Sequence, residues 1–116
     1  MRPASEAWDL MPYSLEVKMP KIYAQEKLGA NAVVYAKFFL PGTGWSWFAT
    51  EYDHESRDCF GYAHNSADPQ NAELGYFSLN ELESVRAGGI FRVERDLNWE
   101  PKTIAEVKRM LAANDG

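Results

Sequence analysis

Cysteine is nearly absent from this chain of 116 residues, in which Cys59 stands alone. One cysteine cannot close a disulfide within the chain, so the sequence excludes the disulfide-stabilised scaffolds of many small secreted proteins. A chain of this length can bury a hydrophobic core without metals or disulfides. We therefore expect a single domain over residues 1–116, with an N-terminal helical extension at 1–20 and a core at 21–116, in a reducing cytoplasm.

Long hydrophobic runs are missing as well. The run at residues 32–39 is interrupted by Lys37, whereas a helix that spans a bilayer needs about 20 predominantly apolar residues. The N-terminus lacks a basic segment followed by an apolar one, which is the pattern of a secretory signal. We therefore expect neither membrane insertion nor export.

The familiar sequence motifs of catalysis and metal binding are lacking too. The chain has no glycine-rich phosphate loop, no nucleophile elbow and no nucleophile beside a base. His54, Cys59 and His64 carry metal-binding groups, but they lie five residues apart, and strand alternation would place Cys59 and His64 on opposite faces. We predict no catalytic residues, no metal site and no cofactor, and we interpret Cys59 as a small core residue.

Basic residues are scarce in the middle of the chain. Residues 51–83 contain eight Asp and Glu against Arg57 alone, a net charge of −7, while the whole chain has 12 Lys and Arg against 17 Asp and Glu. Nucleic-acid binding normally requires clustered basic side chains that release counterions. Direct binding of nucleic acid is therefore disfavoured, and a protein with a basic surface suits the acidic block better.

Aromatic residues are abundant where the acidic block begins. Residues 32–40 are rich in β-branched and aromatic side chains, the Pro and Gly cluster at 41–44 predicts a turn, and an aromatic run follows at 45–53. These segments predict a β-hairpin. Further strands at 58–64 and 74–77 would extend it into an antiparallel meander.

Two capping boxes predict helices in the second half of the chain. Ser78 to Glu81 opens a helix that ends at Gly88 and Gly89, and Thr103 opens a terminal helix. Residues 91–96 alternate as a half-exposed edge strand would, and the N-terminal segment is typical of a short helix interrupted by proline. The fold class we predict is α+β: an antiparallel sheet of four or five strands with two or three short helices packed on one face.

Regular alternation would divide the aromatic strand between two faces. One face would carry Trp45, Trp47, Ala49 and Glu51, and the other Ser46, Phe48, Thr50 and Tyr52. Such side chains can pack in a core, stack bases of single-stranded nucleic acid above a basic groove, or form a protein-binding surface with a polar rim. The binding residues we predict are Trp45, Trp47, Glu51, Tyr52, Asp53, Glu55, Glu73 and Tyr76.

Five segments of the chain resemble one bacterial protein family. They are MPKIYAQE at 19–26, VVYAKFF at 33–39, WSWFATEYD at 45–53, ELGYFSLNELESVR at 73–86 and VERDLNWEPKTIAEV at 93–107. In this order they resemble the family called domain of unknown function 2958. The resemblance implies no activity and no catalytic residues. Members are typical of plasmids, integrative elements and phages, which implies an accessory or counter-defence role in the bacterial cytoplasm.

Three hypotheses about function follow from these observations. The first is a non-catalytic, protein-binding accessory protein of mobile genetic elements, a counter-defence inhibitor of anti-CRISPR or anti-restriction type, whose acidic, aromatic surface binds a host or element-encoded protein. The second is a small enzyme or ligand-binding domain that uses carboxylates in an aromatic cleft: Glu51, Asp53 and Glu73, with His54. The third is nucleic-acid binding through Arg86, Arg92, Arg95, Lys102, Lys108 and Arg109.

Overall fold

The computed structural model describes residues 4–115, and the side chains of residues 6–114. Its centre is a five-stranded antiparallel sheet in the order β5-β4-β3-β2-β8. The strands are β1 (Val33–Val34), β2 (Ala36–Phe39), β3 (Trp45–Tyr52), β4 (Asp58–Asn65), β5 (Glu73–Ser78), β6 (Arg86–Ala87), β7 (Phe91–Arg92), β8 (Glu94–Arg95) and β9 (Lys102–Thr103). The helices are α1 (Ala4–Trp8), α2 (Tyr13–Glu16), α3 (Leu79–Ser84) and α4 (Ile104–Asp115), with 3-10 turns at Glu26–Asn31 and Pro69–Asn71. The predicted α+β class and antiparallel meander are confirmed.

A β-bulge in β3 changes which side chains share a face of the sheet. The register against β4 shifts between Ala49, which pairs with Gly61, and Glu51, which pairs with Phe60. One extra residue reverses the alternation beyond it. The prediction that Glu51 shares a face with the tryptophans was therefore wrong: Tyr52 joins Ala49 in one buried cluster, and Glu51 points to the opposite face.

The two faces of the sheet carry separate hydrophobic cores. One cluster contains Phe38 and Ala49 with Leu79 and Leu82 of α3, and the other contains Phe48 with Ile104 and Val107 of α4. The central strand β3 is therefore covered on both faces, and its residues from Phe48 to Tyr52 are all buried. We predicted helices on one face, whereas α3 and α4 lie on opposite faces.

The N-terminal segment contributes to the first of these cores. Leu10 and Met11 are buried in it, and Arg95 of the edge strand β8 donates to the Asp9 carbonyl at 2.9 Å. The short helices α1 and α2 lie on either side of Leu10 and Met11, as the proline in the segment predicts.

The predicted box at Thr103 is complete, because Glu106 also bonds back to the Thr103 amide, whereas at Ser78 the structure shows the serine cap. The Ser78 Oγ accepts from the Glu81 amide at 3.2 Å, and the Thr103 Oγ1 accepts from the Glu106 amide at 3.2 Å. The predicted end of α3 was wrong, because the helix ends at Ser84. Gly88 and Gly89 do adopt positive φ, but in the turn of the hairpin between β6 and β7.

The predicted edge strand at 91–96 is divided in two. β7 pairs with β6, and β8 pairs with β2, so the chain changes partner at Val93, which is buried. The short β8 thus forms one edge of the main sheet, and β5 forms the other.

Candidate functional site

The bulge directs Glu51 under the segment that precedes β1. Only 4 % of Glu51 is exposed, and its Oε1 and Oε2 accept hydrogen bonds from the Tyr23 and Gln25 amides, at 2.8 and 2.9 Å. A buried carboxylate must be paired or hydrogen-bonded. Glu51 therefore holds a segment 26 to 28 residues away in sequence against the sheet.

Gln25 fixes the same segment through its side chain. Its Nε2 donates to the carbonyls of Val33 and Thr50, at 2.9 and 2.8 Å, and its Oε1 accepts from the Val33 amide at 2.7 Å. The buried amide thus bridges β1, β3 and the loop before them. With Glu51 it forms a polar link of five hydrogen bonds to backbone groups.

This link borders a cavity of about 270 Å³, here called the Glu51 cavity. Its floor is the second face of the sheet, and its lining includes Thr50, Glu51, Phe60, Leu74 and Tyr76 from β3, β4 and β5. The segment above contributes Tyr23, Gln25, Glu26, Gly29 and Ala32, and α4 contributes Ile104. The cavity therefore combines aromatic and aliphatic walls with two carboxyl groups.

Two exposed tyrosines flank the cavity. Tyr23 is 67 % exposed and Tyr76 is 58 % exposed, and their side chains are hydrogen-bonded to each other. That hydrogen bond is the main reason why the pKa of Tyr76 is raised, and the negative charges of Glu51 and Glu26 raise it further. Phe60 packs edge-on against Tyr76, with ring centroids 5.1 Å apart. The Tyr76 phenol thus lies near two negative charges.

Tyr23 has an unusual backbone conformation, with φ of 74°. A left-handed conformation costs a residue with a side chain roughly 1–2 kcal/mol, so other contacts must hold it. Here the Tyr23 amide is bound by Glu51 and its side chain by Tyr76. Such strain is often found at functional sites, which makes this residue of interest.

The predicted residues Trp45, Trp47 and Glu73 lie on the other face of the sheet. The two indoles are stacked, with centroids 5.8 Å apart and an angle of 11° between the rings. Trp45, 41 % exposed, borders a smaller cavity of about 110 Å³ together with Asp68 and Glu73. This is a second aromatic and acidic patch, here called the Trp45 patch.

Asp53, His54 and Glu55 lie at the turn between β3 and β4, beside a third cavity of about 350 Å³. The Glu55 amide donates to the Asp53 carboxylate at 2.9 Å, and this hydrogen bond is the main reason why the pKa of Asp53 is lowered. Tyr52 is buried in the first core, where burial raises its pKa although Arg57 donates a hydrogen bond to its hydroxyl.

Arg57 connects this turn to α3. Its guanidinium donates to both carboxylate oxygens of Glu83, at 2.5 and 3.0 Å, and to the Asn80 Oδ1 at 2.6 Å. The hydrogen bond to Glu83 is the main reason why the pKa of Arg57 is raised. The one basic residue of the acidic block thus neutralises part of it locally.

The eight predicted binding residues therefore occupy different places. Glu51 and Tyr76 meet in the Glu51 cavity, Trp45 and Glu73 in the Trp45 patch, and Tyr52 lies in the core. The carboxylates of the second hypothesis line three separate cavities, so they do not converge on one cleft. The sequence analysis missed Tyr23, Gln25 and Leu74, for which no local pattern gave a signal.

The basic residues of the third hypothesis are also divided. Arg92 lies over the Trp8 ring at 4.3 Å and Arg95 binds the N-terminal segment, whereas Lys108 on α4 lies over the Tyr62 ring on the opposite face, at 5.3 Å. They do not form one basic surface.

Cys59 is fully buried, and burial is the main reason why the pKa of its thiol is raised. Within the described side chains, no group of three or more His, Cys, Asp or Glu could hold a metal ion.

Comparison with protein families gives a match over most of the chain. The model of the family described as "Protein of unknown function (DUF2958)" matches residues 13–116. The chain belongs to this family. No curated protein and no solved structure matches the chain. In the described part of this DUF2958 protein, no helix has the length and apolar character needed to span a membrane.

Proposed function

We propose that this chain is a non-catalytic, protein-binding accessory protein of bacterial mobile genetic elements. It acts in the cytoplasm as a counter-defence inhibitor of anti-CRISPR or anti-restriction type, and its target is a host or element-encoded protein with a basic surface. Membership of the DUF2958 family and its association with mobile elements motivate the biological role. The binding mode is supported by the structure of one region, the surface around β5.

The observation that carries the binding mode is a group of exposed aromatic and apolar side chains beside carboxylates. Tyr23, Leu74 and Tyr76 are 67 %, 46 % and 58 % exposed at the Glu51 cavity. Exposed hydrophobic side chains rimmed by polar groups are typical of protein-binding sites, and tyrosine is enriched among residues that dominate binding energy. The acidic rim would speed the encounter with a basic partner.

The strand β5 gives this surface a second side. Its Glu73 belongs to the Trp45 patch, whereas its Leu74 and Tyr76 belong to the Glu51 cavity. Because β5 is an edge strand of the sheet, both regions adjoin the same border of the molecule. A partner that covers this border would contact aromatic and acidic side chains on both faces.

Site-specific photocrosslinking tests the proposal. A benzophenone amino acid replaces Tyr76 in one tagged protein and Tyr13, which is 77 % exposed and outside the cavity, in a matched control. After irradiation in bacterial cells that carry restriction and CRISPR systems, we expect a protein adduct at position 76 that is absent at position 13. The captured protein is then purified and titrated with the parent and with Tyr76→Ala.

We expect Tyr76→Ala to weaken that complex about tenfold or more, the range of a residue that dominates binding. Inhibition of the partner's defence activity in vitro would establish the biological role. Adducts that are equal at positions 76 and 13, or a complex insensitive to Tyr76→Ala, would show that binding does not use this surface.

A further inference from the structure

We infer that the Glu51 cavity receives a single protonated lysine or arginine side chain of the partner protein. The alkyl part would lie between the aromatic walls, and the cationic group would approach Glu51 and Glu26. This inference rests on the proposed function, because it names the chemistry by which the partner is recognised.

Charge is the first argument. The residues that line the cavity include Glu26 and Glu51 and, in the described part of the chain, no lysine or arginine. Each oxygen of Glu51 accepts one amide hydrogen bond, and a carboxylate oxygen can accept a second. The buried carboxylate, which lines the cavity, therefore keeps acceptor capacity. The raised pKa of Tyr76 at the mouth, to which both glutamates contribute, is consistent with a negative potential there.

The aromatic walls are the second argument. Tyr23, Phe60 and Tyr76 border the same space as the carboxyl groups. Aromatic faces attract cations, and the long alkyl stems of lysine and arginine pack on apolar surface while the charged head remains near polar groups. The combination of aromatic rings with carboxylates is selective for such a side chain, since a purely apolar residue would bring the carboxylates no positive charge and an acidic one would be repelled.

Size is the third argument. The volume of about 270 Å³ lies just below the range of roughly 300–1,000 Å³ that is typical of sites for drug-sized ligands. It is suited to one long side chain rather than to a large cofactor. The two walls at the mouth, Tyr23 and Tyr76, are exposed enough to contact the backbone that carries this side chain.

Titration with blocked tripeptides tests the inference without any partner. The peptides are alanine-X-alanine with X as lysine, arginine or norleucine, the last being an uncharged analogue of lysine. Backbone amide shifts of the nitrogen-15-labelled protein report binding, with Tyr23, Gln25 and Tyr76 as reporters. We expect the lysine and arginine peptides to bind with a dissociation constant on the order of 1 mM, and at least tenfold more tightly than the norleucine peptide.

Three variants locate that binding. Glu26→Gln should weaken the lysine peptide about threefold, the size of an exposed charge effect, and Tyr76→Ala about tenfold. Trp45→Ala, on the other face of the sheet, should have no effect. All three positions are exposed, so the variants should fold, and their amide spectra would show it.

Equal binding of the lysine and norleucine peptides, no binding of any peptide, or equal losses in Trp45→Ala and Tyr76→Ala would overturn the inference. Those outcomes are independent of the crosslinking experiment. An adduct at position 76 without tripeptide binding would retain the proposed function and reject the basic side chain as its occupant. Tripeptide binding without an adduct would retain the cation preference and reject the proposed partner surface.

Discussion

At the scale of single residues, burial decides the role of a charged side chain more than its type does. Glu51 belongs to the acidic block of the sequence, but it is almost completely buried and both its oxygens are bound to backbone amides. Its first role is therefore to hold the segment from Tyr23 to Gln25 in place. An effect of replacing Glu51 on binding would include the effect of moving Tyr23.

We predict that Glu51→Gln destabilises the fold by about 2 kcal/mol, because the neutral side chain presents a donor to one of two amides and leaves it unsatisfied. Urea denaturation measures the loss, and hydrogen exchange should show faster exchange of the Tyr23 and Gln25 amides. Glu55→Gln, at an exposed position of the β3–β4 turn, is the matched control and should stay within about 0.5 kcal/mol of the parent. Unchanged protection of both amides in Glu51→Gln would contradict this role.

Gly61 offers a second prediction at this scale. A Cβ at this position would collide with the Phe48 carbonyl oxygen in β3, whereas a Cβ at its cross-strand partner Gly75 would meet nothing within 4 Å. Gly61→Ala should therefore destabilise by about 3 kcal/mol, the upper range for overpacking. Gly75→Ala should be neutral or slightly stabilising in the same denaturation experiment. A mild effect at Gly61 would mean that β3 and β4 can separate without cost.

At the scale of elements, local hydrogen bonds fix where helices begin. The Glu106 carboxylate accepts from the Thr103 amide and from its Oγ1, both at 3.0 Å, and these bonds lower the pKa of Glu106. A carboxyl group whose pKa is lowered by folding contributes stability above its unfolded value, and that contribution disappears as the pH falls through the folded value. The start of α4 is therefore sensitive to acid.

We expect the start of α4 to loosen as the pH falls below the ordinary glutamate value of 4.5. The Thr103 amide shift, followed by NMR from pH 7 downward, should titrate with the lowered pKa of Glu106. Glu106→Gln should abolish that titration, and Glu100→Gln, which lies outside the capping box, should leave it intact. Titration of Thr103 that persists in Glu106→Gln would assign it to another group.

At the scale of the whole molecule, the sheet separates two cores that must fold together. Leu10 lies in the core under α3 and Val107 in the core under α4, and both are fully buried. Because β3 supplies Ala49 to one core and Phe48 to the other, neither core can form without the shared strand. The N-terminal segment is part of the first core.

We predict one cooperative unfolding transition for the whole chain. Leu10→Ala should cost about 3 kcal/mol and Val107→Ala about 2 kcal/mol, and in each variant circular dichroism and tryptophan fluorescence should give the same denaturation midpoint. Two separated transitions in either variant would show that the cores unfold independently. Removal of residues 1–12 should destabilise the first core as Leu10→Ala does, with a larger loss in the free energy of unfolding.

The sequence by itself determined the elements whose signals are local. The turn before Trp45, the strands of the meander and the helix caps at Ser78 and Thr103 depend on neighbouring residues, so pattern and side-chain chemistry were sufficient. The family was also recognisable from five segments in their order along the chain, and its model matches residues 13–116.

Only the tertiary structure decided which side chains meet. The bulge between Ala49 and Glu51 is set by pairing with β4, and one extra residue was enough to move Glu51 and Tyr52 to opposite faces from those predicted. The contacts of Glu51 with Tyr23 and Gln25 join residues 26 to 28 apart. Such contacts leave no periodic trace in a sequence, because they depend on how a loop without regular structure packs across a sheet.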